Sequence, residues 1–161
     1  MKLYLLRHGA AGSASSDALR PLTGRGETEA SNIAKACADR LMNVKQVVSS
    51  PYLRARQTAA ILLRTLNEIS PGQLGQELLI SPVITPGSDI VSVGAFVDDL
   101  DSDEVLLVTH QPLVGSLLMF LTDNHGHSAM ETANLAALEL TAFTRGGAEL
   151  LWLERPPADL P

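Results

Sequence analysis

Two arginines and two histidines, Arg7, His8, Arg54 and His110, have types and settings suited to chemistry on a charged anion. Each falls where a strand or a helix end should deliver it. Arg7-His8-Gly9 directly follows the strand candidate Lys2 to Leu6, Arg54 follows Ser50-Pro51, and His110 follows the strand candidate Glu104 to Val108. Two guanidinium forks can hold the oxygens of a phosphoryl group, and free N–H groups at a helix start such as Gln111 add further donors. An imidazole beside that pocket can attack phosphorus in line, while a second can donate a hydrogen bond to the phosphoryl oxygens as charge develops. The attacking ring must be neutral at one nitrogen, a form that neighbouring guanidinium charge favours. Taken singly, an arginine behind a first strand is an ordinary surface cation, and a histidine at a strand end is an ordinary hydrogen-bonded residue.

The elements needed to position these groups can be read along the chain. Short apolar runs alternate with helical patterns, which predicts a parallel or mixed sheet with helices on both faces. In such sheets functional side chains gather at the carboxyl ends of strands. Lys2 to Leu6 reads as a first strand. Thr23 is a candidate N-cap for a helix from Gly24 to Leu41, with Ile33, Cys37 and Leu41 at fourfold spacing. Gln46 to Ser49 is a second strand. Ser50 and Pro51 then supply a cap and a first helical position for a helix that buries Ala55, Ala59, Leu62, Leu63 and Leu66. Ser70 to Gly75 reads as a loop, Leu78 to Ile84 as a strand, and Asp89 to Leu100 as a helix behind the turn Pro86-Gly87-Ser88. Glu104 to Val108 has the continuous apolar character of a strand buried on both faces, and a helix from Leu113 to Leu121 follows Pro112. Leu135 to Phe143 and Glu149 to Leu153 are predicted strands joined at Arg145-Gly146-Gly147, with an irregular tail from Pro156.

Composition narrows the classes. Twelve Lys+Arg against 18 Asp+Glu in 161 residues give a net charge of −6, which argues against non-specific binding to nucleic acid or to an anionic membrane. Any anion must be held by a local cluster. The length suits one domain over residues 1–161, and 45% hydrophobic residues suffice for a core. A single cysteine, Cys37, fits a reducing compartment, and no run approaches the roughly 20 apolar residues of a membrane span, so a cytoplasmic monomer is expected. His125-Gly126-His127 has no carboxylate or cysteine at ligand spacing, and Ser13, Ser15, Ser16 and Asp17 read as a flexible rim.

Four ordered blocks carry a family resemblance. Arg7-His8-Gly9 behind strand one, Pro21-Leu22-Thr23 with Gly26, Ser50-Pro51-Tyr52-Leu53-Arg54-Ala55 with Gln57-Thr58-Ala59, and Val108-Thr109-His110-Gln111-Pro112 together resemble the histidine phosphatase superfamily, the phosphoglycerate-mutase-like fold. The resemblance implies a three-layer α/β/α domain with a mostly parallel sheet. It also implies that His8 is the nucleophile that becomes phosphorylated, that Arg7 and Arg54 hold the phosphoryl group, and that His110 stabilises the transition state. Arg20 and Gln111 are weaker phosphate-binding candidates.

The departures from the wider family narrow the substrate. Many members carry a Glu or Asp proton donor, yet Gln111 and Pro112 follow His110, and little chain remains between Leu66 and Glu104 for a cap domain. Asp89 and Glu77 are the remaining candidate acids; a helix terminus explains the first and a solvated loop the second. Expelling an alkoxide without an acid is costly, whereas imidazole, with a conjugate-acid pKa of about 6.5, leaves readily. The compact length, Arg20-Pro21-Leu22-Thr23 and Thr85-Pro86 resemble the SixA-type protein phosphohistidine phosphatases. That resemblance implies a metal-free, cofactor-free phosphohydrolase acting on a phosphotransfer domain of a histidine kinase or on a phosphocarrier protein. The alternatives are a small-molecule phosphomonoesterase of the same fold and a non-catalytic phosphohistidine-binding module.

Overall fold

The computed structural model describes residues 1–72, 77–127 and 129–158. Its strands are β1 (Lys2–Arg7), β2 (Gln46–Ser49), β3 (Glu77–Ile80), β4 (Glu104–Thr109), β5 (Leu135–Leu140) and β6 (Ala148–Glu154). The helices are α1 (Gly24–Leu41), α2 (Leu53–Ile69), α3 (Ile90–Asp99) and α4 (Leu113–Thr122). One sheet has the order β3-β2-β4-β1-β5-β6. β3, β2, β4 and β1 run parallel, while β5 is antiparallel to β1 and β6 antiparallel to β5. The expected three-layer architecture is therefore present, with its antiparallel pair at one side.

The period-2 alternation of the central strands separates two cores. Tyr4 and Leu6 of β1 join Val47, Leu106 and Val108 against Ile33, Cys37 and Leu41 of α1 and Ala59, Leu62 and Leu66 of α2. Leu3 and Leu5 turn to the opposite face, where Val105 and Leu107 meet Val93 and Val97 of α3 and Val114, Leu117 and Leu121 of α4. With apolar side chains on both faces, β1 and β4 lie in the middle of the sheet, as their continuous apolar runs require.

Local chemistry explains where elements start and stop. The Thr23 hydroxyl oxygen accepts from the Gly26 N–H at 3.1 Å, so α1 begins where its cap was expected. α2 begins later than the Ser50-Pro51 signal suggested, at Leu53 behind Tyr52. Ser50 still accepts the Tyr52 N–H at 3.3 Å, but its hydroxyl is recruited elsewhere, as described below. The predicted strand Leu78 to Ile84 stops at Ile80 because Pro82 has no N–H for a ladder; Pro82–Ile84 instead form a 3-10 turn capped by Ser81. β5 likewise ends at Leu140, short of Phe143, and the reversal into β6 includes Gly146 at a φ of 70°. Of the predicted loop from Ser70 to Gly75, the part from residue 73 on lies outside the described residues. Among the described residues no helix is long and apolar enough to cross a membrane.

Candidate active site

The neighbours β2, β4 and β1 end side by side, and their carboxyl ends carry the predicted site. The ladder continues one step past the strands: the His8 N–H donates to Thr109 O at 3.0 Å, and the Ser50 N–H to Val108 O at 3.0 Å. His8 and His110 thereby emerge from adjacent strands with ring centroids 5.1 Å apart. Arg54, on the first turn of α2, reaches the same point.

The state of His8 follows from its neighbours. Its Nδ1 lies 2.7 Å from Gly9 O, an acceptor only, so Nδ1 carries the ring hydrogen and Nε2 the lone pair. Arg54 Nε–H donates to that lone pair at 3.2 Å. The Gly9 carbonyl is fixed in turn. The Gly9 N–H donates to Thr58 Oγ1 at 3.1 Å, Thr58 donates to Arg54 O at 2.7 Å, and a Cβ on Gly9 would lie 2.5 Å from Gly26 O. Burial, followed by the charges of Arg54, Arg7 and Arg20, pushes the His8 pKa down to about 4 against the pull of the Gly9 carbonyl. At neutral pH the ring is uncharged and its Nε2 is a competent nucleophile.

His110 is fully buried, and its pKa is pushed down to about 3 by burial first and then by repulsion from His8, already protonated in that acid range, and from Arg54. Its Nε2 lies 2.7 Å from Ser50 Oγ. The Ser50 hydroxyl, which accepts from the Tyr52 N–H, can in turn donate its own hydrogen to His110 Nε2. That arrangement leaves the hydrogen of the neutral ring on Nδ1, which has no partner among the described residues. An unspent donor in a dry position beside His8 is what a phosphoryl oxygen requires. Tyr52 shields this corner, edge-on to His110 at 5.1 Å and beneath the Arg54 guanidinium, also at 5.1 Å.

Arg7 is braced from behind. Its Nη1 donates to Met130 O at 2.7 Å, and its buried Nε has no partner among the described residues. The brace rests on Ala133, held at a φ of 55° by N–H contacts of 3.0 and 3.1 Å to the carbonyls of Arg7 and His8. That left-handed conformation costs an alanine about 1 kcal/mol. A cavity of about 830 Å³ flanks Arg7, lined by Arg25, Glu29, Asn32, Asn134 and Arg155.

The weaker candidates take different places. Arg20 donates from Nε to Gly12 O at 2.8 Å and pairs with Asp17 at 3.0 Å, so it acts on His8 through its charge. Gln111 stands between His110 and α4, before a cis peptide to Pro112. Asp89 caps α3, accepting from Ser92 N–H at 2.8 Å and Ser92 Oγ–H at 2.7 Å. Those bonds lower its pKa, the wrong direction for a general acid. Glu77 lies on β3, and its side chain is outside the described residues. Cys37 is buried in the core, as its stripe position indicated. Sequence reasoning missed Ser50 as the partner of His110. It also missed Asp17, which is no loose rim but a partner of Arg54 through bonds of 2.6 and 3.2 Å. The only sequence signal for either was proximity to a motif.

The buried imidazoles set a pH dependence of stability. In the unfolded chain a histidine protonates near pH 6.5, whereas folded His8 does so near 4. Above about pH 6.5 neither state is charged there; below it the unfolded state binds protons first, so stability falls with pH until about 4. His8 alone should account for roughly 3 kcal/mol of that loss. Urea unfolding at pH 7.5 and 4.5 checks this: His8→Asn, which cannot protonate, is expected to lose distinctly less stability on acidification than the unaltered chain.

A sheet with paired arginines and histidines at its carboxyl edge defines the histidine phosphatase class. The chain belongs to the histidine phosphatase superfamily: the model for branch 1 of that superfamily matches residues 3–76. Across most of its length it is similar to phosphohistidine phosphatase SixA of Escherichia coli (strain K12), with 32% identity over 150 residues covering 91% of this chain and 89% of that protein. The structure of the protein histidine phosphatase SixA complexed with tungstate superposes with a TM-score of 0.83 at 30% identity, over 97% of each chain. A SixA structure from Agrobacterium tumefaciens, at 24% identity and a TM-score of 0.79 over 97% of this chain and 98% of that one, shares the fold.

Proposed function

We propose that this chain is a protein phosphohistidine phosphatase working through a phosphorylated His8. The observation that carries the reading is the fixed tautomer of His8, with its Nε2 lone pair facing the Arg54 fork. In the first step His8 Nε2 attacks phosphorus, the P–N bond to the substrate imidazole breaks, and that ring, protonated from solvent at its other nitrogen, leaves neutral. In the second step water attacks the same phosphorus, the P–Nε2 bond breaks, and inorganic phosphate leaves. Arg7 and Arg54 neutralise the phosphoryl oxygens in both steps, His110 Nδ1–H meets the developing charge, Gln111 adds an N–H donor and Arg20 lends its charge. The Nδ1–H bond to Gly9 O keeps the ring aligned while it carries phosphate.

The leaving group follows from the acids at hand. Asp17, the carboxyl group beside Arg54, has its pKa lowered by Arg20 and Arg54 and stays ionised. An imidazole, with a conjugate-acid pKa of about 6.5, departs without help, whereas an alkoxide does not. The natural substrate is therefore phosphohistidine on a protein, either a phosphotransfer domain of a histidine kinase or a phosphocarrier, met in the cytoplasm. A kinetic panel tests this. Phosphohistidine protein and phosphoramidate should be hydrolysed with kcat/KM about 10³-fold above sugar and nucleotide monoesters, the share a general acid would otherwise supply. Equal or faster monoester hydrolysis would instead identify a metabolite phosphatase. Tight binding with the phosphate retained would identify a binding module.

A further inference from the structure

Arg54 is nearly dry, with 4% of its side chain exposed, yet its ion-pair partner Asp17 is 54% exposed on the loop ahead of α1. A guanidinium has five N–H bonds: Nε–H and one Nη2–H along its flank, the other Nη2–H and one Nη1–H at its tip, and a last Nη1–H on the far side. The flank faces the nucleophile, since Nε donates to His8 Nε2 at 3.2 Å. Asp17 takes the tip. Its main-chain carbonyl accepts from Nη1 at 2.6 Å and its Oδ2 from Nη2 at 3.2 Å. The other carboxylate oxygen, Oδ1, accepts from Arg20 Nη1 at 3.0 Å, and Arg20 is tied to the loop through Gly12 O at 2.8 Å.

We infer that Asp17 is a positioning residue for phosphoryl transfer: by gripping the tip of Arg54 it turns the flank, Nε–H and the inward Nη2–H, toward the point beside His8 Nε2 where phosphorus must sit. The inference rests on the site proposed above. A carboxylate at an anion site can also act as a stand-in for the substrate that must be displaced. The geometry opposes that role. Half of the grip is a neutral main-chain carbonyl that cannot leave without unfolding the 3-10 turn Asp17–Leu19, and both contacts sit at the tip, leaving the flank free for a second, bidentate anion. An aspartate on the tip and a phosphoryl group on the flank can be bound at once.

The same contacts say what removal should do. Asp17 is exposed, so truncating it opens no cavity and should leave the melting temperature within a few degrees of the unaltered chain. Without the carboxylate, Arg54 keeps its charge and its Nε–H bond to His8, but its tip is held by one bond instead of two, from Nη1 to the Asp17 carbonyl. Asp17→Ala is therefore expected to lower kcat on phosphoramidate by about tenfold to a hundredfold and to weaken inorganic phosphate binding, measured by titration calorimetry. Asp17→Asn, whose amide oxygen can still accept from Nη2, should recover most of both. If Asp17→Ala binds phosphate as tightly as the unaltered chain or more tightly, the carboxylate is a competitor and the inference falls. An Asn variant as impaired as the Ala variant overturns it equally. Failure of the underlying site reading shows separately, as turnover that survives His8→Ala.

Discussion

Replacing His8 with alanine should stop turnover, with kcat on a phosphohistidine protein falling by about 10⁴-fold or more, the scale seen when a covalent nucleophile is removed. The effect is large because nothing near can substitute. His110 is buried against Ser50 with its lone-pair nitrogen engaged, and its Nδ1 presents a hydrogen rather than a lone pair. Binding should survive the change, since Arg54 keeps both contacts to Asp17. Rapid quenching of the unaltered chain with labelled substrate should trap phosphate on His8, and His8→Ala should show no label. A variant that turns over at an appreciable fraction of the original rate would mean that water attacks the substrate directly.

Arg54→Ala should lower kcat/KM by about 10³-fold, because it removes both the fork on the phosphoryl oxygens and a charge that keeps His8 neutral. The second loss has its own signature. Without that cation the His8 pKa rises from about 4 toward its ordinary value, so the acid limb of the pH–rate profile moves upward. Arg54→Lys should restore the position of the acid limb and little of the rate. An ammonium supplies charge but cannot present two parallel N–H bonds to one phosphoryl group while holding Asp17 at the tip. A Lys variant with near-original kcat/KM would show that charge alone suffices.

The parts of the molecule that could be read from the sequence are those whose cause is local. Arg7-His8-Gly9 sits at the carboxyl end of β1 because the apolar run Leu3 to Leu6 makes a strand that ends at Arg7; Thr23 caps α1 because its hydroxyl reaches a backbone N–H three residues on. The α1 stripe and the runs of β2 and β4 were equally local. The failures share the opposite character. Ser50 resembles a cap, and only a contact with His110, 60 residues away, changes its task. Asp17 lies among small polar residues that read as loose, and its partner Arg54 is 37 residues on. Neither pairing leaves a period or a spacing behind. Leu78 to Ile84 reads as one strand because every side chain in it but that of Ser81 is apolar. Only the missing N–H of Pro82 and the capping of the turn by Ser81 divide it.

His8 and His110 hang from β1 and β4, the two innermost strands of the sheet, each flanked by partners on both sides. Amides in such strands exchange with solvent only when the whole molecule opens, whereas termini and rim loops open with far less free energy. The histidine pair therefore has the longest lifetime the fold can offer, and heating should not dismantle it ahead of the core. What can age earlier is the grip on Arg54, because Asp17 belongs to a short turn on the rim. Thermal wear on this molecule would then show first as a slower enzyme and only afterwards as an unfolded one.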